Sequence, residues 1–185
     1  HYVMVIKWIF ALMRNFKRVL ITGISGSGGS YLAEQILERN PNISIHGITR
    51  WHSTTTVNNL RKIAKKVQIY ECDLCDLSSV IRTLEVAKPD LIFNLASHAN
   101  VRACFDTPIT VVQNNILSTL NWLEAIRLIK SNPLLVHCST SEVYGQVDKS
   151  QIPINENCPI NPVNPYSVSK CTQDQLVYSY GKAYN

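Results

Sequence analysis

The feature that most constrains the fold is the stretch from residue 17 to residue 37, which reads KRVLITGISGSGGSYLAEQIL. It begins with a short apolar run, which is typical of a buried strand. It ends with apolar residues at helical spacing, which predict a helix from about Gly28. Glycines between the two allow a tight turn, and the first N–H groups of a helix have no partners within the helix. The stretch therefore predicts a backbone cradle for a phosphate or pyrophosphate group.

The glycines of this stretch are spaced as GxxGxxG rather than as the GxGxxG of the common dinucleotide-binding fingerprint. A strand before them and a helix after them are the context that favours a binding role. A glycine-rich loop that binds nothing is the alternative interpretation. The residues that we predict to form the cradle are Gly23, Gly26, Ser27, Gly28 and Gly29.

Strand-like and helix-like segments alternate along the rest of the chain. Further candidate strands cover residues 43–48, 67–70, 91–95 and 134–138. Candidate helices cover residues 57–66, 76–87, 109–130 and 165–180. This alternation is typical of a parallel, doubly wound sheet with helices on both faces. The predicted fold is therefore α/β, a Rossmann-type three-layer domain over residues 17–185, preceded by an extension over residues 1–16.

Arg50 follows the second candidate strand by two residues, in the region where a dinucleotide site that prefers NAD usually carries an acidic residue. Because a guanidinium pairs well with a phosphate, Arg50 favours NADP over NAD. NAD stays the alternative cofactor, and a plain surface arginine is the alternative role for Arg50. Other cofactor contacts are expected after the third and fourth strands, at Asp73, Leu74, Leu95, Ala96 and Ser97.

A group of polar residues, STSEVYG, follows the fifth candidate strand. In open parallel sheets, ligands bind at the carboxyl ends of the strands. A long proline-containing loop over residues 146–164 leads to the helix that carries Tyr166 and Lys170, which lie four residues apart and so share one helical face. A lysine next to a phenol favours the phenolate, which can act as a general base. YxxxK alone is a common chance pattern, and its position after STSE gives it weight.

Composition limits the choice of partners. A formal net charge of +5 over 185 residues suits an anionic ligand and does not indicate a nucleic acid partner. The six cysteines lack the spacing of a disulfide framework, so we expect reduced thiols, a cytoplasmic protein and no metal site at the single CxxC. The apolar run over residues 3–12 is too short to span a bilayer. We expect the 1–16 extension to have no catalytic role, with a peripheral membrane anchor as the alternative.

Four motifs together, TGISGSGG, NLAS, STSEVYG and NPYSVSK, resemble the extended short-chain dehydrogenase/reductase family. Within that family, ITGISGSGGSYLAE, HGITR and STSEVYG are most similar to GDP-mannose 4,6-dehydratases and related nucleotide-sugar 4,6-dehydratases. The resemblance runs from about Lys17 to the last residue. It implies a nucleotide-diphosphate sugar as substrate, a homodimer or homotetramer, and a C-terminal substrate-binding part that lies outside this chain.

The resemblance also implies a role for each polar residue near the fifth strand. Thr140 would bond the sugar 4-hydroxyl, and Tyr166 would take its proton while hydride passes from C4 to the nicotinamide. Lys170 would hold the nicotinamide ribose and tune Tyr166, and both residues would contact the cofactor. Glu142 would remove the C5 proton, and the acid that helps water leave C6 would be Glu142 itself or Ser141. The hydride would then return to C6.

Two departures from the family pattern leave the sugar open. Trp51 stands where the dehydratases often have a second arginine, and residues 97–100 also differ. Three alternatives remain at this stage. The first is a 4-epimerase or reductase, which needs no C5 base; the second is a decarboxylase, whose relatives can also carry STSE. The third is a non-catalytic dinucleotide-binding protein.

Overall fold

Five parallel strands form one sheet in the computed structural model, which describes residues 16–50 and 58–184. The order across the sheet is β3-β2-β1-β4-β5. This arrangement confirms the predicted doubly wound α/β fold, with β1 at the centre. The strands are β1 (Arg18–Thr22), β2 (Ser44–Thr49), β3 (Val67–Glu71), β4 (Leu91–Asn94) and β5 (Leu134–His137).

The helices follow the strands in the expected order. They are α1 (Ser27–Arg39), α2 (Leu77–Ala87), α3 (Ala103–Asp106), α4 (Pro108–Leu128) and α5 (Pro165–Ala183). Asp76 caps α2 by accepting a hydrogen bond from the backbone N–H of Ser78, as expected for an aspartate at that position. The single-turn helix α3 was not predicted, because four residues are too few to show a helical period.

One predicted helix is wrong over its described part. Instead of a helix over residues 57–66, the chain forms two 3₁₀ turns, Asn58–Leu60 and Ala64–Lys66. Leu60 and Ile63 are the buried residues here, and their spacing of three matches the 3₁₀ repeat. The side chain of Asn59 also donates to the carbonyl oxygen of Ser25 at 2.8 Å, which ties the segment to the glycine turn. Residues 1–15 and Trp51 lie outside the described residues.

Apolar side chains cover both faces of the sheet, because neighbouring residues of β1 point to opposite sides. Val19 and Ile21 pack in a cluster with α1, whereas Leu20 packs in a second cluster with α2 and α4. Helix α5 packs in turn against α4. Within the described ranges, no helix is long and apolar enough to cross a membrane.

Buried polar side chains connect the centre of the sheet to the outer helices. Thr22 donates to the side-chain oxygen of Asn94 at 2.9 Å, and its own oxygen accepts from the backbone N–H groups of the two residues after β4, each at 2.9 Å. Asn94 donates to Thr119 of α4 at 3.4 Å, and Gln173 of α5 donates to the same hydroxyl at 2.6 Å. These bonds fix the carboxyl ends of β1 and β4 relative to α5.

Candidate active site

The glycine turn between β1 and α1 packs too closely for larger residues. Gly23 has φ +65°, a conformation that side chains other than glycine rarely adopt. A Cβ at Gly29 would lie 2.5 Å from the carbonyl oxygen of Gly23 and 2.7 Å from the Cα of Ile24. A Cβ at Gly28, in contrast, would have no heavy atom within 4 Å. The turn is therefore closed on the side of Gly29 and open on the side of Gly28.

A cavity of about 520 Å³ lies at the carboxyl ends of the strands and is bounded by this turn. Its walls include every predicted cofactor contact except Tyr166 and Lys170. The eleven that line it are Gly23, Gly26, Ser27, Gly28, Gly29, Arg50, Asp73, Leu74, Leu95, Ala96 and Ser97. Sequence reasoning missed other lining residues, among them Cys72, Asn114 and Ser118.

The cavity has the properties that a dinucleotide requires. Its volume lies within the range of about 300–1,000 Å³ that is usual for ligand pockets. The hydroxyl oxygen of Ser97 is buried and has no hydrogen-bond partner among the described residues, so it is available to a ligand. The glycine turn offers backbone N–H groups at the start of α1, while Arg50 offers a positive charge. The residues present therefore fit a dinucleotide.

Arg50 is exposed and donates a hydrogen bond to the side-chain oxygen of Asn114 at 3.1 Å. Burial, followed by the charge of Arg50, lowers the pKa of His98 below its usual value, so this imidazole is neutral at pH 7. The carboxylate of Asp73 accepts a hydrogen bond from the backbone N–H of Cys75 at 2.9 Å. Asp73 thus stabilises its own turn as well as lining the cavity.

The polar residues after β5 form a short 3₁₀ turn, Ser141–Tyr144. Thr140 caps it, since its hydroxyl oxygen accepts from the backbone N–H of Glu142 at 3.3 Å. The N–H of Asn161 donates to the carbonyl oxygen of Val143 at 2.9 Å, which ties the turn to the long loop. Thr140 and Glu142 are therefore held in one rigid unit.

The carboxylate of Glu142 reaches the beginning of α5. Its Oε2 accepts a hydrogen bond from the side-chain Nδ2 of Asn164 at 3.2 Å. Asn164 is the N-cap of α5, and its Oδ1 accepts from the backbone N–H of Ser167 at 2.8 Å. Tyr166 follows two residues after Asn164. The structure thus brings Glu142 to the end of the helix that carries Tyr166.

Tyr166 and Lys170 lie one turn apart on α5, and both are buried. The ammonium of Lys170 donates to the carbonyl oxygen of Cys138 at 2.6 Å, which attaches α5 to the chain just after β5. Burial lowers the pKa of Lys170, although the carboxylate of Asp174 acts in the opposite direction. These contacts place Lys170 next to the strand end from which Thr140 and Glu142 project.

A second cluster lies behind this strand end. Ser139 donates to the carboxylate of Asp174, whose other oxygen is 3.7 Å from the Nε2 of His137. The side chain of Asn94 lies 3.1 Å from the Nδ1 of His137. Burial, followed by the positive charge of Lys170, lowers the pKa of His137 to about 4. His137 is therefore neutral at pH 7, and its contact with Asp174 is not an ion pair there.

Comparison with known proteins identifies the family. Residues 20–185 match the family described as GDP-mannose 4,6 dehydratase. The chain belongs to this family. It is 35% identical over 179 residues to the GDP-mannose 4,6 dehydratase of Drosophila melanogaster, covering 91% of this chain and 44% of the relative. It is 34% identical over 177 residues to the Yersinia enterocolitica enzyme, covering 91% and 46%. The chain therefore spans slightly less than half the length of these relatives.

Solved structures share the fold. UDP-glucose 4-epimerase of Thermus thermophilus, in complex with NAD, is 27% identical with a TM-score of 0.78, covering 90% of this chain and 51% of that one. The dTDP-glucose 4,6-dehydratase of Bacillus anthracis, also in complex with NAD, is 24% identical with a TM-score of 0.77, covering 91% and 51%. The Rossmann-type fold of this family member is thus shared with both epimerases and dehydratases.

Sequence reasoning missed two side chains that lie near the candidate active site. Asn164 donates to the predicted site residue Glu142, whereas Asp174 bonds Ser139 and acts on Lys170 only through its charge; neither was singled out. Asp174 had a usable signal, because it follows Lys170 by four residues on the same helical face. Asn164 had the signal of an N-cap, but its bond to Glu142 spans 22 residues. All six cysteines are free, and the described residues contain no cluster of His, Cys, Asp and Glu that could hold a metal.

Proposed function

We propose that this chain is the cofactor-binding and catalytic part of an NADP-dependent nucleotide-sugar 4,6-dehydratase that acts on GDP-mannose. One observation carries the proposal: the carboxylate of Glu142 is hydrogen-bonded to the N-cap of the helix that bears Tyr166. A carboxylate held at the start of the helix that carries the C4 proton acceptor supplies the base that elimination across C5–C6 requires and that simple oxidation at C4 does not. Membership of the dehydratase family supports the same reaction.

The reaction assigns a role to each polar residue near the end of β5. Thr140 donates to or accepts from the sugar 4-hydroxyl, and the phenol oxygen of Tyr166 takes its proton. When bound, the nicotinamide would supply a temporary acceptor for the C4 hydride, which would then return to C6. Once C4 is a ketone, the C5 proton is acidic, and Glu142 removes it. The C6–O bond then breaks, and the departing hydroxide takes a proton from Glu142 or Ser141 and leaves as water. As hydride adds to C6, C5 takes a solvent-derived proton through Glu142, and the proton on Tyr166 returns to solvent.

Lys170 would hold the nicotinamide ribose while its ammonium donates to the carbonyl oxygen of Cys138. Gly23, Gly26, Ser27, Gly28 and Gly29 would hold the pyrophosphate. Arg50 would pair with the ribose 2′-phosphate of NADP, the proposed cofactor; NAD, the alternative, lacks this phosphate. Asp73 and Leu74 would contact the adenine, and Leu95, Ala96 and Ser97 would contact the rest of the dinucleotide.

The enzyme is further proposed to be cytoplasmic, in line with its six free thiols, and to form a homodimer or homotetramer. Its substrate is a nucleotide-diphosphate sugar, and neither a nucleic acid nor a membrane takes part. Residues 1–16 are proposed to have no catalytic role.

The test is Glu142→Gln in the full-length enzyme, with Glu156→Gln as the matched control. Glu156 is an exposed glutamate of the long loop. Glu142→Gln should still bind NADP and GDP-mannose and still oxidise C4, so reduced cofactor accumulates. Formation of 4-keto-6-deoxy product should fall by about 10²–10⁴-fold, as is usual when a general acid–base group is removed. Solvent deuterium should fail to enter C5.

Undiminished 4-keto-6-deoxy product from Glu142→Gln would remove Glu142 from the reaction and leave the dehydratase assignment without its distinguishing residue. A wild-type enzyme that forms no such product from GDP-mannose would contradict the assignment. A 4-epimerase, which the structural resemblance also allows, would give the C4 epimer in both wild type and variant. The control Glu156→Gln should match the wild type in every assay.

A further inference from the structure

We propose that Asn164 is a positioning residue for Glu142: one end of its amide caps α5, and the other end holds the Glu142 carboxylate in the orientation that C5 proton removal needs. This inference rests on the proposed dehydratase function. Asn164 is not one of the catalytic residues proposed above, and it does not itself contact the reacting atoms.

The geometry fixes which atom of the amide faces which partner. The backbone N–H of Ser167 is only a donor, so the atom 2.8 Å from it must be the amide oxygen. The amide nitrogen therefore points the other way, where Glu142 Oε2 accepts from it at 3.2 Å. Asn164 is only 8% exposed, and the thiol of Cys104 also lies 3.9 Å from its oxygen. The orientation of the amide is thus set by its neighbours on both sides.

Capping alone does not require an amide at this position. Asparagine, aspartate and serine are about equally good N-caps, because each offers an oxygen to the first N–H groups of a helix. Among these three, asparagine alone combines that acceptor with a donor on the opposite side. A serine hydroxyl is too short to reach both partners, and an aspartate would place a second carboxylate against Glu142. The asparagine therefore does more than cap the helix, because it also donates to the Glu142 carboxylate.

This contact links the two segments that carry the proposed proton acceptors. Glu142 lies on the turn that Thr140 caps, whereas Tyr166 lies in the first turn of α5, two residues after Asn164. The amide joins the two units directly. A displacement of about 1 Å in a reacting group can cost about 10²-fold in rate, so a loose Glu142 would slow elimination while leaving C4 oxidation intact.

The experiment compares Asn164→Ser and Asn164→Asp in the full-length enzyme, with NADP and GDP-mannose. Both variants keep the cap, so thermal stability should stay close to that of the wild type in Asn164→Ser and should fall in Asn164→Asp only through repulsion between the two carboxylates. In Asn164→Ser, single-turnover reduction of the cofactor should be unchanged, whereas kcat for product and deuterium entry at C5 should fall by about 10- to 100-fold. KM should change less than about threefold, because the substrate contacts remain. Asn164→Asp should be slower still.

The order of the elimination rates in the two variants distinguishes a positioning role for Asn164 from a purely structural one. A residue that only caps α5 would give wild-type rates in both variants, with aspartate at least as good as serine. Ser167→Ala is the matched control, since it removes the reciprocal half of the capping box, where Ser167 accepts from the Asn164 N–H at 3.1 Å. It should lower stability without changing the ratio of elimination to C4 oxidation.

Two outcomes would overturn the inference, and they differ from failure of the proposed function. Wild-type elimination in Asn164→Ser, or an equal loss of C4 oxidation and elimination, would show that Asn164 does not position Glu142. A wild-type enzyme that forms no 4-keto-6-deoxy sugar at all would instead refute the dehydratase function, and the role of Asn164 with it.

Discussion

The glycine turn and the 3₁₀ turn Ser141–Tyr144, here called the catalytic turn, lie at the same edge of the sheet but are held by different groups. The glycine turn after β1 is shaped by backbone, and its closed side leaves no room for a Cβ at Gly29. The catalytic turn after β5 is held by side chains, through Thr140, Glu142 and Asn164. The first region should therefore fail when residues change in size. The second should fail when residues keep their size but lose a donor or a charge.

The largest expected effect is that of Gly29→Ala. Both atoms that the new Cβ would meet belong to the backbone and cannot rotate away. The free energy of unfolding should fall by about 3 kcal/mol or more, at the upper end of overpacking costs. Cofactor binding, measured by titration calorimetry, should become undetectable.

Gly28→Ala is the matched control for this change. Its Cβ would meet no heavy atom of the chain, and alanine suits a helix better than glycine, so stability should rise by about 0.5–1 kcal/mol. Equal stability losses in the two variants would mean that close packing at Gly29 does not shape the turn.

Acidic pH should lower the stability of the protein through His137, the last residue of β5. Its pKa is about 4 in the folded protein against 6.5 as the usual value, so the unfolded chain binds more protons between these two values. Stability should therefore be complete above about pH 6.5 and fall as the pH drops towards 4. The shift corresponds to about 3 kcal/mol. Denaturant titrations of the wild type and His137→Gln from pH 7 to pH 4 measure this contribution.

Glutamine keeps an oxygen that can accept from Asn94, so the variant should lose the pH dependence rather than the fold. Its stability should fall less than that of the wild type on acidification. Identical curves for the two proteins would assign the acid sensitivity to other groups.

Arg50→Ala should have the smallest effect. It tests whether one exposed side chain of the cofactor cavity sets the preference for NADP. Loss of a charged hydrogen bond to the 2′-phosphate should weaken NADP binding by about tenfold or more. NAD binding to the same variant serves as the control and should stay within about twofold of the wild type. Equal affinities of the wild type for NADP and NAD would contradict the preference for NADP.

The parts that the sequence predicted well are those that depend on local periodicity. The five strands, the four longer helices and eleven of the lining residues follow from apolar spacing and from strand ends. The wrong helix over residues 57–66 shows the limit, because the bond from Asn59 to Ser25 and the burial of Leu60 decided its conformation. The bond between Glu142 and Asn164 could not be predicted from local periodicity either, because the two residues lie 22 positions apart. It depends on how a loop of nearly twenty residues folds back.

The central position of β1 has a consequence for the order in which the chain folds during synthesis. Both ends of β1 are bound by residues more than 70 positions later: Asp90 accepts from the N–H groups of Lys17 and Arg18, and Asn94 accepts from Thr22. Until β4 has left the ribosome, one edge of β1 therefore has no partner strand and its apolar side chains have only part of their core. Such non-local pairing is intrinsically slow and exposes the chain to aggregation. Of the five described strands, β1 is thus the earliest in the sequence and among the last to be completed.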